Sequence, residues 1–489
     1  MSYKKLVLIQ PPHEDRESHL FPLGIGYIGM AALKEGVEFE VFDIHAHKLK
    51  ENEVIKKIEK FDCDLVGINA FSTQYKYFKW LVEIIRNTLP NALIVGGGPL
   101  TTFNARLVLE KTSTDICVIC EGDVTIKEII NSNKNDFNNI PGIAYKDEGK
   151  IVFTASRELI REIDKISFIN YEMFPLDIYF NSIGLFGFPT KRAINIITSR
   201  GCPYNCNFCS RTIPGTRLRS MKNISTELKK LKNRFGIDGV IFNDELAIIS
   251  KKRTLELCSI MKELNLKWGC QGRANLVSVE LLKEMKKSGC VYLGLGIESG
   301  SQRILDNMNK NITAEQNEKA IRNVLKTGII PVVQMIYGYP GEDETTINET
   351  IKMFDRLHYM PPTVFAPPYL NLITPLPGSK LYDDCLTNGK IKDEEKYLMK
   401  LGKGYYANAP LLVNLTQFND EELLNQKQKM EQKIHSNYKK YLKQNILKYL
   451  LSRFALIKNK LTHDLKKLGA LFALKNSFMV LIKKVKVKF

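Results

Sequence analysis

The chain has 489 residues, enough for two or three domains, and its 44% hydrophobic content is ordinary for a soluble protein. No run of eighteen apolar residues occurs, which argues against a spanning helix, and the opening Met1-to-Gln10 segment is broken too early by Pro11-Pro12 to be a secretory leader. The net charge of +18 is lopsided: Lys439 to Phe489 holds fourteen Lys/Arg and one acid, so the bulk of the chain is nearly balanced and is not a nucleic-acid surface. Ten cysteines, most standing singly in apolar stretches, suit free thiols in a reducing cytoplasm.

In chain order, strands are predicted at Leu6–Ile9, Phe39–Asp43, Leu65–Ala70, Ala92–Gly98 and Ile116–Ile119. Helices fall between them, among them one from Gly24 to Gly36 and one from Tyr77 to Thr88. Continuous apolar strands separated by helices indicate a parallel sheet covered on both faces. Cys117 and Cys120 read as core residues of the fifth strand rather than a redox pair, because they do not open a helix. Residues 146–190 read as a connector. A second series follows, with strands at Asn195–Thr198, Val240–Phe242, Lys267–Gln271, Tyr292–Ile297, Pro331–Ile336 and Tyr369–Thr374, and helices such as Val279–Ser288 and Ala314–Thr327. Six strand–helix repeats suggest a partial barrel, whose chemistry gathers at the C-terminal strand ends. Past residue 415 the chain turns helical and then basic.

After the first barrel strand comes Ser199-Arg-Gly-Cys202-Pro-Tyr-Asn-Cys206-Asn-Phe-Cys209-Ser-Arg211. A closed Fe–S centre or a structural zinc site takes four ligands. Three thiolates at Cys-x3-Cys-x2-Cys spacing hold three irons of a 4Fe-4S cubane and leave the fourth open for another molecule. With Arg-Gly-Cys-Pro ahead of the first cysteine and Phe208 before the last, the segment resembles the radical S-adenosylmethionine (radical SAM) enzymes. The resemblance implies that Cys202, Cys206 and Cys209 bind the cluster, where reductive cleavage of S-adenosylmethionine gives a 5′-deoxyadenosyl radical. It further implies cofactor contacts at later strand ends: Asp244 and Glu245 for the methionine ammonium, Arg273 for its carboxylate, Glu298 and Ser299 for ribose hydroxyls, and Gly338 near the adenine.

Three loops beyond the front strands carry small and hydroxylated residues, the types that let a backbone approach a ligand closely. They contain Ser72, Thr73 and Gln74; Gly96, Gly97, Gly98 and Thr101; and Glu121. Set before such a barrel, they resemble the cobalamin-binding domain of cobalamin-dependent radical SAM proteins, and the likeness spans about residues 1–415. A dinucleotide site is disfavoured because Gln10-Pro-Pro12, not Gly-x-Gly-x-x-Gly, follows the first strand. Asp43-Ile-His45 begins like a cobalt-ligating loop but lacks its glycine and follows the second strand. His45 is therefore read as a loop residue, with His13 or His19 as the next candidates.

The resemblance implies an α/β fold with a Rossmann-like cobalamin-binding domain (1–145) and a partial (β/α)6 TIM-type radical SAM barrel (191–415); the residues themselves add a connector (146–190) and a helical, basic C-terminal region (416–489). The resemblance also implies an enzyme with a 4Fe-4S cluster, S-adenosylmethionine and cobalamin, most consistent with methyl transfer to an unactivated carbon. Cyclisation or rearrangement, as in the anaerobic cyclase of chlorophyll-type pigments, is an alternative, as is a radical SAM enzyme with an empty front domain. The expected partners are a small-molecule or lipid-type substrate and a reductant such as flavodoxin or ferredoxin. The tail spaces Leu442, Ile446, Leu450, Phe454, Ile457 and Leu461 near a helical period among lysines. It reads either as a peripheral membrane contact or as a helical cap on the barrel.

Overall fold

Apolar strands that show no polar face must be covered on both sides, and the front half of the chain meets that need with helices. The computed structural model describes residues 3–13, 20–133, 136–180, 190–357, 368–403 and 410–444. The strands β1 (Lys5–Gln10), β2 (Glu38–Asp43), β3 (Leu65–Asn69), β4 (Leu93–Gly97) and β5 (Ile116–Val118) pair in parallel in the order β2-β1-β3-β4-β5. This doubly wound order reverses direction between β1 and β3, where such sheets open a crevice beyond their C-terminal ends. A hairpin of β6 (Ile143–Asp147) and β7 (Lys150–Phe153) adds two antiparallel strands to the far edge. The Glu148-Gly149 turn joining them has both residues in left-handed backbone. The sheet therefore runs on into the stretch read above as connector.

The second half builds β8 (Ala193–Ile196), a two-residue ribbon of β9 (Ser199–Arg200) and β10 (Arg217–Leu218), then β11 (Gly239–Phe242), β12 (Lys267–Gly272), β13 (Cys290–Glu298), β14 (Ile330–Tyr337) and β15 (Tyr369–Leu372). Apart from the ribbon, these form one parallel sheet in chain order, an open six-stranded barrel segment. The intervening helices have sharp ends. Helix Ala314–Thr327 starts at a Thr313/Gln316 capping box and stops at Gly328, whose left-handed φ of 72° costs a glycine least. Helix Met221–Phe235 is capped by Ser220, which accepts from the Asn223 amide, and ends at Gly236.

The two halves are locked together. The buried Asn195 side chain on β8 exchanges two hydrogen bonds with the Phe21 backbone, at 2.8 and 3.0 Å. The Phe21 ring sits among Tyr171, Phe174 and Tyr179, and the Tyr179 hydroxyl donates to Asp43 at 2.9 Å. The helices after β15, Lys380–Thr387 and Glu394–Leu401, return to the front sheet. There Tyr382 and Leu398 share a core with Phe78 and Leu81, and Tyr75 and Asn104 bond to Glu395 and Glu394.

Two local expectations change. His45 lies in a helical turn, Ile44–His47, because Asp43 caps it by accepting from the Ala46 amide. Cys120 is not in the fifth strand: it sits in the loop beyond, at φ 65°, while Cys117 is fully buried. Among the described residues no helix is long and apolar enough to cross a membrane. His19 and the tail beyond Gln444 lie outside the described residues.

Candidate functional site

A cavity of about 330 Å³ opens where the C-terminal strand ends of the two sheets face each other. Leu8, Gly24, Asn69, Gly97 and Gly98 line it from the front sheet, and Ser199, Gly201, Asn243, Asp244 and Glu245 from the barrel. The two glycines have different reasons. At Gly97 an added Cβ would meet only the Ile68 carbonyl at 4.0 Å, so that face is open. Gly98 has φ 88°, and a Cβ there would press on Asn69 and Ala70.

The cysteine segment leaves β8 as a loop stemmed by the β9–β10 ribbon. Gly201 (φ 82°) starts it, and any side chain there would run into the Gly215 carbonyl. Backbone contacts pin the loop to the barrel rim: Asn207 donates to Met308 at 2.9 Å, and the Leu381 amide donates to Asn207 at 2.9 Å. The Ser210 hydroxyl donates to the Pro377 carbonyl at 2.6 Å. Desolvation in the cleft pushes the Cys209 thiol up to about 12, with Cys206 and Cys202 adding like-charge repulsion, although its outer atoms reach solvent. The three sulfurs thus share one electrostatic neighbourhood, and ionising them needs compensating positive charge. Among the described residues no three His, Cys, Asp or Glu side chains converge on the position of a single ion. A 4Fe-4S cubane carries iron at alternate corners with sulfide between them, so three thiolates that hold it bind three separate irons and need not meet at one point, a demand that three cysteines in one loop can fit.

The remaining candidates divide by what their side chains already do. Asp244 is buried. One carboxylate oxygen accepts from the Thr198 amide (2.8 Å), the Thr198 hydroxyl (3.0 Å) and the Ser199 hydroxyl (2.5 Å), while the other has no partner. Burial raises its pKa above the usual carboxylate range. Glu245 is exposed beside it. Arg273 is 5% exposed; its Nε and Nη2 have no partner, and its guanidinium carbon lies 3.8 Å from the Tyr204 ring centre. Glu298 sits at a β-bulge with φ 64° and pairs with buried Lys310 at 2.7 Å. The Ser299 hydroxyl bonds Thr350 and the Ser301 amide. Gly338 turns the chain at φ 85°, and its amide donates to buried Glu342.

In the front loops, Gly97, Gly98 and Glu121 reach the cavity, whereas Ser72, Thr73, Gln74, Gly96 and Thr101 do not line it. Ser72 is buried at the start of a short 3-10 turn, and the carbonyl of Thr73 packs against Gly402. Gln74 donates to the Pro11 and Pro12 carbonyls and accepts from the Phe71 amide, which holds the first loop down. The Thr101 hydroxyl donates to the Val118 carbonyl at 2.8 Å, and its methyl fills the space beside Gly96. Glu121 takes part in a four-residue clamp. Arg200 reaches Glu121 at 2.7 Å and Asp123 at 2.9 Å, and Arg217 reaches Glu121 at 2.8 Å. Burial alone would raise the Glu121 carboxyl, but hydrogen bonds from Arg217, Arg200 and the Ile160 amide hold it below its ordinary value. The clamp was not anticipated from the sequence, which shows Arg200 and Arg217 only as two charges 17 positions apart. Nor was the Tyr204–Arg273 stack.

A family model described as the radical SAM superfamily matches residues 196–354, and one described as a B12 binding domain matches residues 14–130. A methyltransferase of Pyrococcus horikoshii, named as uncharacterised, is 30% identical over 436 residues, 86% of this chain and 90% of that protein. The anaerobic magnesium-protoporphyrin IX monomethyl ester cyclase of Cereibacter sphaeroides is 28% identical over 398 residues, 77% of this chain and 62% of that protein. The radical S-adenosylmethionine methyltransferase TsrM of Kitasatospora setae superimposes with a TM-score of 0.63 at 18% identity, over 79% of this chain and 77% of that one, and so shares the fold. A cavity shared by the two strand-end surfaces and a two-part family match over most of the chain agree: the chain belongs to the cobalamin-dependent radical SAM enzymes, whose cofactors are a 4Fe-4S cluster, S-adenosylmethionine and cobalamin.

Proposed function

We propose that the protein transfers a methyl group to an unactivated carbon of a small-molecule substrate, with electrons from a flavodoxin- or ferredoxin-type reductant. When bound, the cluster supplies a low-potential electron, S-adenosylmethionine a cleavable sulfonium and cobalamin a methyl carrier. The observation that carries the reading is a cavity lined from both sheets, by Gly97, Gly98 and Glu121 of the front loops and by Ser199, Gly201 and Asp244 beside the start of the cysteine loop. The most extensive relative described above is named a methyltransferase, which favours methylation over cyclisation.

In this reading Cys202, Cys206 and Cys209 ligate the cluster. The unpartnered oxygen of Asp244 accepts from the methionine ammonium, since a buried carboxylate oxygen without a donor is costly until one arrives. Nε and Nη2 of Arg273 form one edge of the guanidinium and suit the methionine carboxylate bidentately. Gly97, whose face carries no side chain, would let the corrin lie close to the backbone. Leu8, Leu23 and Ile28 line the apolar side and exclude water.

The test is anaerobic reconstitution followed by assay with deuterated-methyl S-adenosylmethionine. We expect four irons per chain, bound corrinoid and a product carrying the label. Each of Cys202→Ala, Cys206→Ala and Cys209→Ala should abolish turnover. A chain that loads no cluster, or a cysteine variant that still turns over, refutes the site; loaded protein that yields only unlabelled product refutes methyl transfer.

A further inference from the structure

Arg273 has a second neighbour that its carboxylate role leaves unused. Its Nη1 lies 3.8 Å from the sulfur of Cys206, within reach of an N–H···S hydrogen bond. The residue ends the third barrel strand, just past Gly272, and is buried. Its guanidinium carbon lies over the ring of Tyr204, 3.8 Å from the ring centre and two positions before Cys206 in the same loop. The guanidinium is always protonated, so it places a fixed positive charge and a directed donor at one cluster thiolate.

We propose that Arg273 is a positioning residue for the cluster: stacked on Tyr204, it donates to Cys206 and raises the potential at which the cluster accepts an electron. The physical ground is general. Reduction adds negative charge to the cluster and its sulfurs, and a hydrogen bond or nearby cation stabilises the more negative state. The inference rests on the cluster assignment above and adds a role that the carboxylate contact does not require. The stack supplies the preorganisation. A lysine in the same place would carry the charge without the planar donor or the ring contact.

The experiment is a dithionite redox titration of reconstituted protein, followed by electron paramagnetic resonance of the reduced cluster. No S-adenosylmethionine is present, so a lost cofactor contact cannot contribute. Arg273→Gln should hold wild-type iron and sulfide but accept its electron from dithionite at a more negative potential. Arg273→Lys should recover part of the shift, and Tyr204→Leu should move the potential the same way by less. An Arg273→Gln protein with full iron that titrates with the wild type, or at a more positive potential, overturns the proposal. If Arg273→Gln fails to load iron, unchanged potentials in both Arg273→Lys and Tyr204→Leu overturn it. Wild-type protein that forms no cubane sinks the cluster assignment instead, so the two failures are told apart.

Discussion

At the scale of single residues, burial at the barrel rim shifts the titration of one carboxyl group, Glu342. Glu342 follows the turn that begins at Gly338 and is almost wholly buried; desolvation lifts its carboxyl to about 7, even though it accepts from the Gly338 and Tyr339 amides. The folded chain therefore holds a proton on Glu342 that the unfolded chain, with an ordinary value of 4.5, gives up. This contribution to stability is complete below pH 4.5 and is lost as pH rises through 7. Between pH 5 and pH 8 the wild type should lose on the order of 2 kcal/mol relative to Glu342→Gln, measured by urea unfolding at both values. Parallel pH profiles for the two proteins would show that Glu342 is ionised throughout.

At the scale of elements, the ribbon that stems the cysteine loop is tied to the front domain by buried ion pairs. Both of its strands carry an arginine to Glu121 beyond β5, Arg200 reaching Asp123 as well, and these four side chains are between 3% and 15% exposed. A buried ion network gives little net stability over apolar packing, but losing one member leaves charge without compensation. Glu121→Gln should therefore cost about 3–5 kcal/mol. Its combination with Arg217→Met should be less than additive, with a coupling of about 0.5–3 kcal/mol in a double-mutant cycle. Strict additivity would mean that the two residues act apart. The same contacts fix the start of the cysteine loop relative to the cavity: Arg200 stands two positions before Cys202 and also lies 5.3 Å from the Tyr27 ring.

At the scale of the whole molecule, the chain closes on itself. After the last barrel strand it returns to cover the front sheet, so that the front unit is completed by residues more than 250 positions away. Leu398 is fully buried in that shared core. Leu398→Ala should cost about 2–5 kcal/mol through the cavity it leaves. It should speed hydrogen exchange in helix Tyr75–Thr88 while leaving β11 and β12 protected. Equal acceleration everywhere would show that the chain unfolds only as one unit.

Much of this architecture could be read from the sequence because its signals are local. The strands are continuous apolar runs, helix Ala314–Thr327 has its cap and its terminal glycine in the letters themselves, and Cys-x3-Cys-x2-Cys has little meaning apart from a three-point ligand set. The boundaries of β8, β13 and β15 shifted by a few residues, because pairing rather than hydrophobicity ends a strand. What only the tertiary structure decided depends on side chains meeting across long separations. It assigned Gln74 and Thr101 to holding loops in place, bound Glu121 into a clamp, left one oxygen of Asp244 and one edge of Arg273 without partners, and set Tyr204 beneath that arginine. Periodicity and spacing report which face of an element is buried. They carry no record of which polar atom finds a partner there, because that depends on distances between segments that the chain order does not constrain.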